Sequence, residues 1–145
     1  MKTMITGVRP TGSITLANYI GGIKGFVEQQ DKYNSLIFIA DIHGLTTYID
    51  PKEIRNNILD ITAMYLACGI DPSKNIIYLQ SDIEYIPSIS WLLECNSYYG
   101  ELSRMIQFKE KSKKNANFTS GLLTYPVLMS ADILTFASNS PPRKV

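Results

Sequence analysis

The run Leu36-Ile37-Phe38-Ile39-Ala40 constrains this chain more than any other segment. Five consecutive apolar residues leave no polar face, so a strand here is covered on both sides, the condition of a central strand in a parallel sheet. Asp41-Ile42-His43 follows at once and sets polar groups at the strand's carboxyl end, where open parallel sheets bind their ligands. Two more short apolar stretches, Thr3 to Thr6 and Ile76 to Leu79, read as strands. Between the first two, Leu16, Tyr19, Ile20, Ile23, Phe26 and Val27 recur with helical period, although Gly21, Gly22 and Gly25 weaken the helix. Between the second and third, Asp50-Pro51-Lys52-Glu53 starts a helix, with Asp50 as cap, Pro51 in the first turn and Glu53 able to close a capping box. That helix carries Ile54, Ile58, Ile61, Tyr65 and Leu66 on one side and ends at Gly69. Strand, helix, strand, helix, strand predicts an α/β fold built on a parallel sheet with crossover helices. Further helices are predicted over Pro87 to Cys95, Glu101 to about Phe108 and Gly121 to about Phe136, with Ser112 to Thr119 as a polar, mobile loop.

Composition narrows the function classes. With 145 residues, 45% of them apolar and 19% charged, the chain can form one ordinary globular domain. A formal charge of +1 is not the basic excess of a dedicated nucleic-acid binder. Cys68 and Cys95 lie far apart, with no second Cys or nearby His at metal-ligand spacing, and read as reduced structural thiols. With His43 the only histidine, no zinc cluster is expected, and no protein metal site. Met1-Lys2-Thr3 leads straight into a strand, and no apolar run is long enough to cross a bilayer, so a cytoplasmic, membrane-free chain is expected.

Four constellations can carry chemistry. The segment Gly7 to Asn18 is a glycine-containing corner between strand and helix, where Thr15 can cap and Asn18 can present a donor near a phosphate. It matches neither the dinucleotide fingerprint nor a Walker loop, and a plain strand–turn–helix corner is an equal reading. His43, after the strongest strand, is either a ligand-facing group or a satisfied structural residue. Tyr125, Met129, Asp132, Ile133 and Phe136 recur at three and four and share a helix face. An acid on such a face costs roughly 2–7 kcal/mol unless something bonds to it. Asp132 therefore meets either another buried donor or a ligand N–H. The run Lys109-Glu110-Lys111-Ser112-Lys113-Lys114 is either a solvated face or a loop that brings an ammonium over phosphates.

Taken together these residues resemble the bacterial-type tryptophanyl-tRNA synthetases, which are class I aminoacyl-tRNA synthetases. Pro10-Thr11-Gly12-Ser13 and Thr15-Leu16-Ala17-Asn18-Tyr19 look like the family's PSG segment and its version of the HIGH motif. Gly69-Ile70-Asp71-Pro72, Gly100-Glu101-Leu102, Gln107-Phe108-Lys109-Glu110-Lys111, Gly121-Leu122-Leu123-Thr124-Tyr125-Pro126 and Met129-Ser130-Ala131-Asp132-Ile133-Leu134 are similar to family wording as well. The likeness covers Met1 to Phe136 without insertions. It implies a Rossmann-like parallel sheet, with residues 1–137 as the amino-terminal part of the catalytic domain and 138–145 as a divergent tail.

The resemblance also implies roles. Asp132 accepts the indole N–H of tryptophan, Met129 packs on the ring, Tyr125 helps hold the α-amino group, and Ile5, Gly7 and His43 line the pocket. Arg9, Pro10, Thr11, Gly12, Ala17 and Asn18 surround ATP, while Thr15, Asn18 and Lys111 form the catalytic clamp, Lys111 closing from a loop. The implied reaction joins the tryptophan carboxylate to the α-phosphate of Mg2+-ATP and then passes the acyl group to tRNA(Trp), by alignment and charge stabilisation without a covalent enzyme intermediate. A homodimer is implied too. Three positions depart from the family: Ala17 stands where Gly is usual, Arg9 where Gln is common, and Ile5 where Phe is common. After Ala137 the family's D-x-V-P-V-G stretch gives way to Ser138-Asn139-Ser140-Pro141-Pro142. The KMSKS-type loop and the anticodon-recognition domain do not follow, so a non-catalytic fragment that binds ATP or tryptophan weakly, or dimerises, is the competing expectation.

Overall fold

The apolar run forms the middle strand of a three-stranded parallel sheet in the computed structural model, which describes residues 2–12, 15–114 and 117–136. Ser13 of the quoted motif, residue 137 and the 138–145 tail lie outside the described residues. Two compact units make up the chain, one through Asp82 and one from Ile83 to Phe136.

In the first unit β1 is Thr3–Val8, β2 Asn34–Ile39 and β3 Ile76–Leu79, in the order β1-β2-β3. The register sets Ile5 beside Leu36 and Gly7 beside Phe38, with Phe38 beside Tyr78 in turn. Because side chains alternate along a strand, these residues share one face of the sheet, and Met4, Ile37 and Ile39 point to the other. That second face carries the core, where Met4, Ile37 and Ile39 pack with Ile23, Phe26, Ile61, Tyr65 and Ile70. Every residue of β2 from Ser35 to Ile39 is buried, as a central strand requires.

The helices that cover the core follow most of the expected stops and starts. The segment after β1 is not one α-helix. It runs as α1, Leu16–Asn18, a wider five-residue π turn, Tyr19–Ile23, and α2, Lys24–Val27. Gly21 and Gly22 lie inside the wide turn, and the buried stripe is Tyr19, Ile23, Phe26 and Val27 while Leu16 and Ile20 face outward. After β2 comes a short α3, Asp41–Gly44, and then α4, Pro51–Ala67. Asp50 caps α4 as expected, its Oδ1 accepting from the Lys52 N–H at 2.8 Å, but the Glu53 half of the capping box does not form. Gly69, at φ +97°, ends the helix in a region that side chains rarely enter. Asp71 then accepts from both the backbone and hydroxyl of Ser73, which holds its carboxyl below the usual range.

In the second unit α5 is Tyr85–Glu94, α6 Tyr99–Leu102, α7 Ile106–Lys114 and α8 Ser120–Thr135, with α5 and α6 packed on α8. One helix was expected from Glu101 to Phe108. The chain breaks it between α6 and α7, where Arg104 Nε donates back to the Gly100 carbonyl at 2.6 Å. α7 itself continues through Lys114, so residues 112–114 are helical and not the start of a loop. Phe108 is the buried anchor of α7 and meets the Phe118 ring edge-on at 5.1 Å.

Candidate active site

At the carboxyl end of β1 the chain leaves the sheet through Arg9 and Pro10. Pro10 is buried and its carbonyl accepts from Asn57 Nδ2 of α4 at 3.1 Å, so a helix 47 residues away fixes the loop. Arg9, Thr11 and Gly12 are exposed, and Gly12 takes φ +137°, which any side chain would strain. Thr15 and Asn18 then close a reciprocal cap. Asn18 Oδ1 accepts from the Thr15 N–H at 2.9 Å and from its hydroxyl at 2.7 Å, and the Asn18 N–H returns a bond to Thr15 Oγ1 at 3.3 Å. A backbone N–H can only meet an acceptor, which settles the amide orientation, so the Nδ2 hydrogens of Asn18 are what this side chain can offer a ligand. Ala17 is exposed beside it.

At the carboxyl end of β2, Asp41 and His43 stand in α3. Asp41 Oδ1 accepts from the Ser81 N–H at 3.0 Å, and the His43 N–H donates to Gln80 Oε1 at 3.3 Å. The ends of β2 and β3 are thus tied together. His43 is 9% exposed and its carbonyl accepts from Thr46 Oγ1, so its backbone is fully engaged in the corner. Ile5 is buried on the sheet face it shares with Gly7. A side chain at Gly7 would stand 2.5 Å from the Phe38 ring, which therefore lies directly on this glycine and stacks on Tyr78 at 5.5 Å.

The second unit presents its candidates on α8 and α7. Asp132 is 2% exposed among Leu122, Val127, Leu128 and Ala131, the apolar side of α8. Met129 is 39% exposed and Tyr125 half-buried, so these two flank the buried stripe instead of forming its middle. The Tyr125 hydroxyl donates to Gln107 Oε1 of α7 at 2.8 Å. Lys111 is exposed on α7, not on a loop, and with Lys109 and Glu110 it belongs to the solvated face of that helix.

Three side chains that hold these corners carry little local signal in the sequence. Gln80 sits just past β3, at the same kind of strand end that singled out His43, and that rule would have found it. Asn57 flanks the apolar stripe of α4 and gives no local sign of its long-range partner. Phe38 stands in the sequence simply as one member of an apolar run. Among the described residues no group of three His, Cys, Asp or Glu could hold a metal ion, and no helix is long and apolar enough to cross a membrane.

The model of the class I tRNA synthetases for tryptophan and tyrosine matches residues 1–142. The chain belongs to this family. Among its synthetase relatives, the tryptophan–tRNA ligase of Mycoplasmopsis pulmonis is 50% identical over 97% of the chain and 44% of its own length. Two solved synthetases share the fold. Tryptophanyl-tRNA synthetase from Mycoplasma pneumoniae is 38% identical, with a TM-score of 0.89 over 96% of the chain and 41% of its own. The Campylobacter jejuni enzyme, complexed with ADP and tryptophan, is 38% identical, with a TM-score of 0.87 over 95% of the chain and 43% of its own. The chain thus spans less than half the length of the synthetases it matches.

Proposed function

We propose that the chain serves tryptophan–tRNA ligation, activating tryptophan with ATP to tryptophanyl-adenylate for transfer to tRNA(Trp). The observation that carries this reading is the solved relative complexed with ADP and tryptophan, whose fold the chain follows over 95% of its residues. In the first unit, the proposal gives Arg9, Pro10, Thr11, Gly12, Ala17 and Asn18 to ATP. The exposed loop and the free amide hydrogens of Asn18 suit phosphate oxygens, and the Thr15 cap keeps that amide from turning. Ile5, Gly7 and His43 take the amino-acid side there. In the second unit, Asp132 reads the indole N–H, Met129 covers the ring and Tyr125 holds the α-amino group, with Gln107 fixing its hydroxyl. A carboxylate placed to accept the indole N–H strongly rejects a substrate with no donor to offer it.

The chemistry asks no side chain to become a nucleophile. The tryptophan carboxylate attacks the α-phosphate and pyrophosphate leaves, while Thr15, Asn18 and Lys111 hold charge and geometry. Lys111 acts from a helix face as a point charge. Mg2+ enters with ATP and is held chiefly by phosphate oxygens, its usual mode. The proposal further takes residues 1–137 as the amino-terminal part of a catalytic domain and 138–145 as a divergent tail, in a cytoplasmic homodimer that acts on tRNA(Trp).

A second reading has its own support, since the chain spans only 41–44% of these relatives: binding of ATP or tryptophan, or dimerisation, without turnover. Tryptophan-dependent ATP–pyrophosphate exchange separates the two, with tyrosine as control and Asp132→Ala alongside. The expected result is exchange that needs tryptophan and falls at least tenfold in the variant, roughly the worth of a hydrogen bond to a charged group. Exchange equally supported by tyrosine, or untouched by the variant, overturns the assignment of Asp132. A folded chain that binds ATP but exchanges nothing supports the second reading.

A further inference from the structure

We propose that the first unit contains a buried water site behind β1, in which the Tyr65 hydroxyl is the principal protein partner. A cavity of about 30 Å3 lies among β1, the π turn and α4, with Ile23, Phe26 and Ile37 on its buried side. Tyr65 lines it at 1% exposure, and among the described residues its hydroxyl has no hydrogen-bond partner. Buried polar groups are nearly always satisfied by protein or by ordered water, so an orphan phenol beside a cavity is a request for a ligand. The size decides which one. A water needs about 10–15 Å3 of such space, whereas an organic ligand needs a pocket of roughly 300 Å3 or more.

The remaining lining suits the same ligand. A water wants two to four polar partners, and half-buried Thr6 and Asn18 complete the wall on the outer side. With Asn18 Oδ1 already taken by Thr15, its amide hydrogens remain to donate. Burial pushes the Tyr65 phenol up, so the hydroxyl keeps its proton and can donate as well as accept. The π turn makes room: among the described residues a side-chain carbon at Gly22 in this wall would meet nothing within 4 Å beyond its chain neighbours and its own helix backbone. Wide turns of this kind are frequent where a helix accommodates a functional feature. The water site stands whether or not the proposed ligase activity does.

The test compares the chain with Tyr65→Phe by thermal melting and by NMR cross-relaxation between water and protein. A bound water predicts a melting temperature lowered by roughly 2–4 °C, the effect of losing about one hydrogen bond in a domain of this size. It also predicts cross-peaks from a long-lived water to the Thr6 and Ile23 amides that vanish in the variant. An unchanged or raised melting temperature overturns the proposal, because it means the hydroxyl stood uncompensated in a dry cavity. Absence of the water cross-peaks in the unaltered chain overturns it too, even if the variant melts lower or fails to fold.

Discussion

Gly7 shows how one residue can serve packing where its neighbours suggest binding. The parallel register sets it beside Phe38, and the ring uses the space a side chain would need. Gly7→Ala is therefore expected to lower stability by about 1–3 kcal/mol, the usual cost of overfilling a packed face. Urea unfolding of Gly7→Ala alone and combined with Phe38→Leu checks this, since relief by the second change assigns the cost to the ring. Unaltered stability in the single variant would leave Gly7 a ligand-facing role only. At this scale much of the candidate site was legible. Thr15 caps as its type and place suggested, and Asp132 is buried as its spacing on the helix implied. What stayed hidden is long-range: Asn57 holding Pro10 and Gln80 holding the His43 backbone depend on residues 47 and 37 apart, which no local pattern encodes.

Among elements, α4 follows its signals most closely because its start and stop are chemical and local. Asp50 receives the Lys52 N–H, and Gly69 takes the positive φ that ends the helix. Asp50→Ala should destabilise by about 1 kcal/mol, as loss of a single cap does, and Asp50→Asn should recover most of it. Thermal denaturation of the two variants measures the difference. The middle strand was legible for the same local reason, since an unbroken apolar run five residues long has few other uses. Periodicity failed where backbone bonds decide. The glycines of residues 21–25 warned of a weak helix without specifying a π turn, and the Arg104–Gly100 bond that parts α6 from α7 competes with helix geometry in a way that period cannot register. The polarity of the lysine run suits a loop as well as a solvated helix face, and only the second forms. Phe108 and Phe118 instead anchor a helix beneath it.

For the molecule as a whole, the distribution of exposed apolar groups gives a direct optical test. Trp91 is the chain's single tryptophan and is 67% exposed on α5, near exposed Leu92. Its fluorescence should lie at the red end of the indole range and be readily quenched by acrylamide at low protein concentration. A blue-shifted, protected emission that reverts on dilution would show the α5 face covered by a second copy, as the proposed homodimer allows. Strand order has a further consequence, in time. Each strand of the sheet pairs with the one made just before it, β2 on β1 and β3 on β2. Among these three strands none has to be threaded between two earlier ones, so this part of the sheet can be laid down in the direction of synthesis as the chain leaves the ribosome, with α4 closing over the β1–β2 pair already in place.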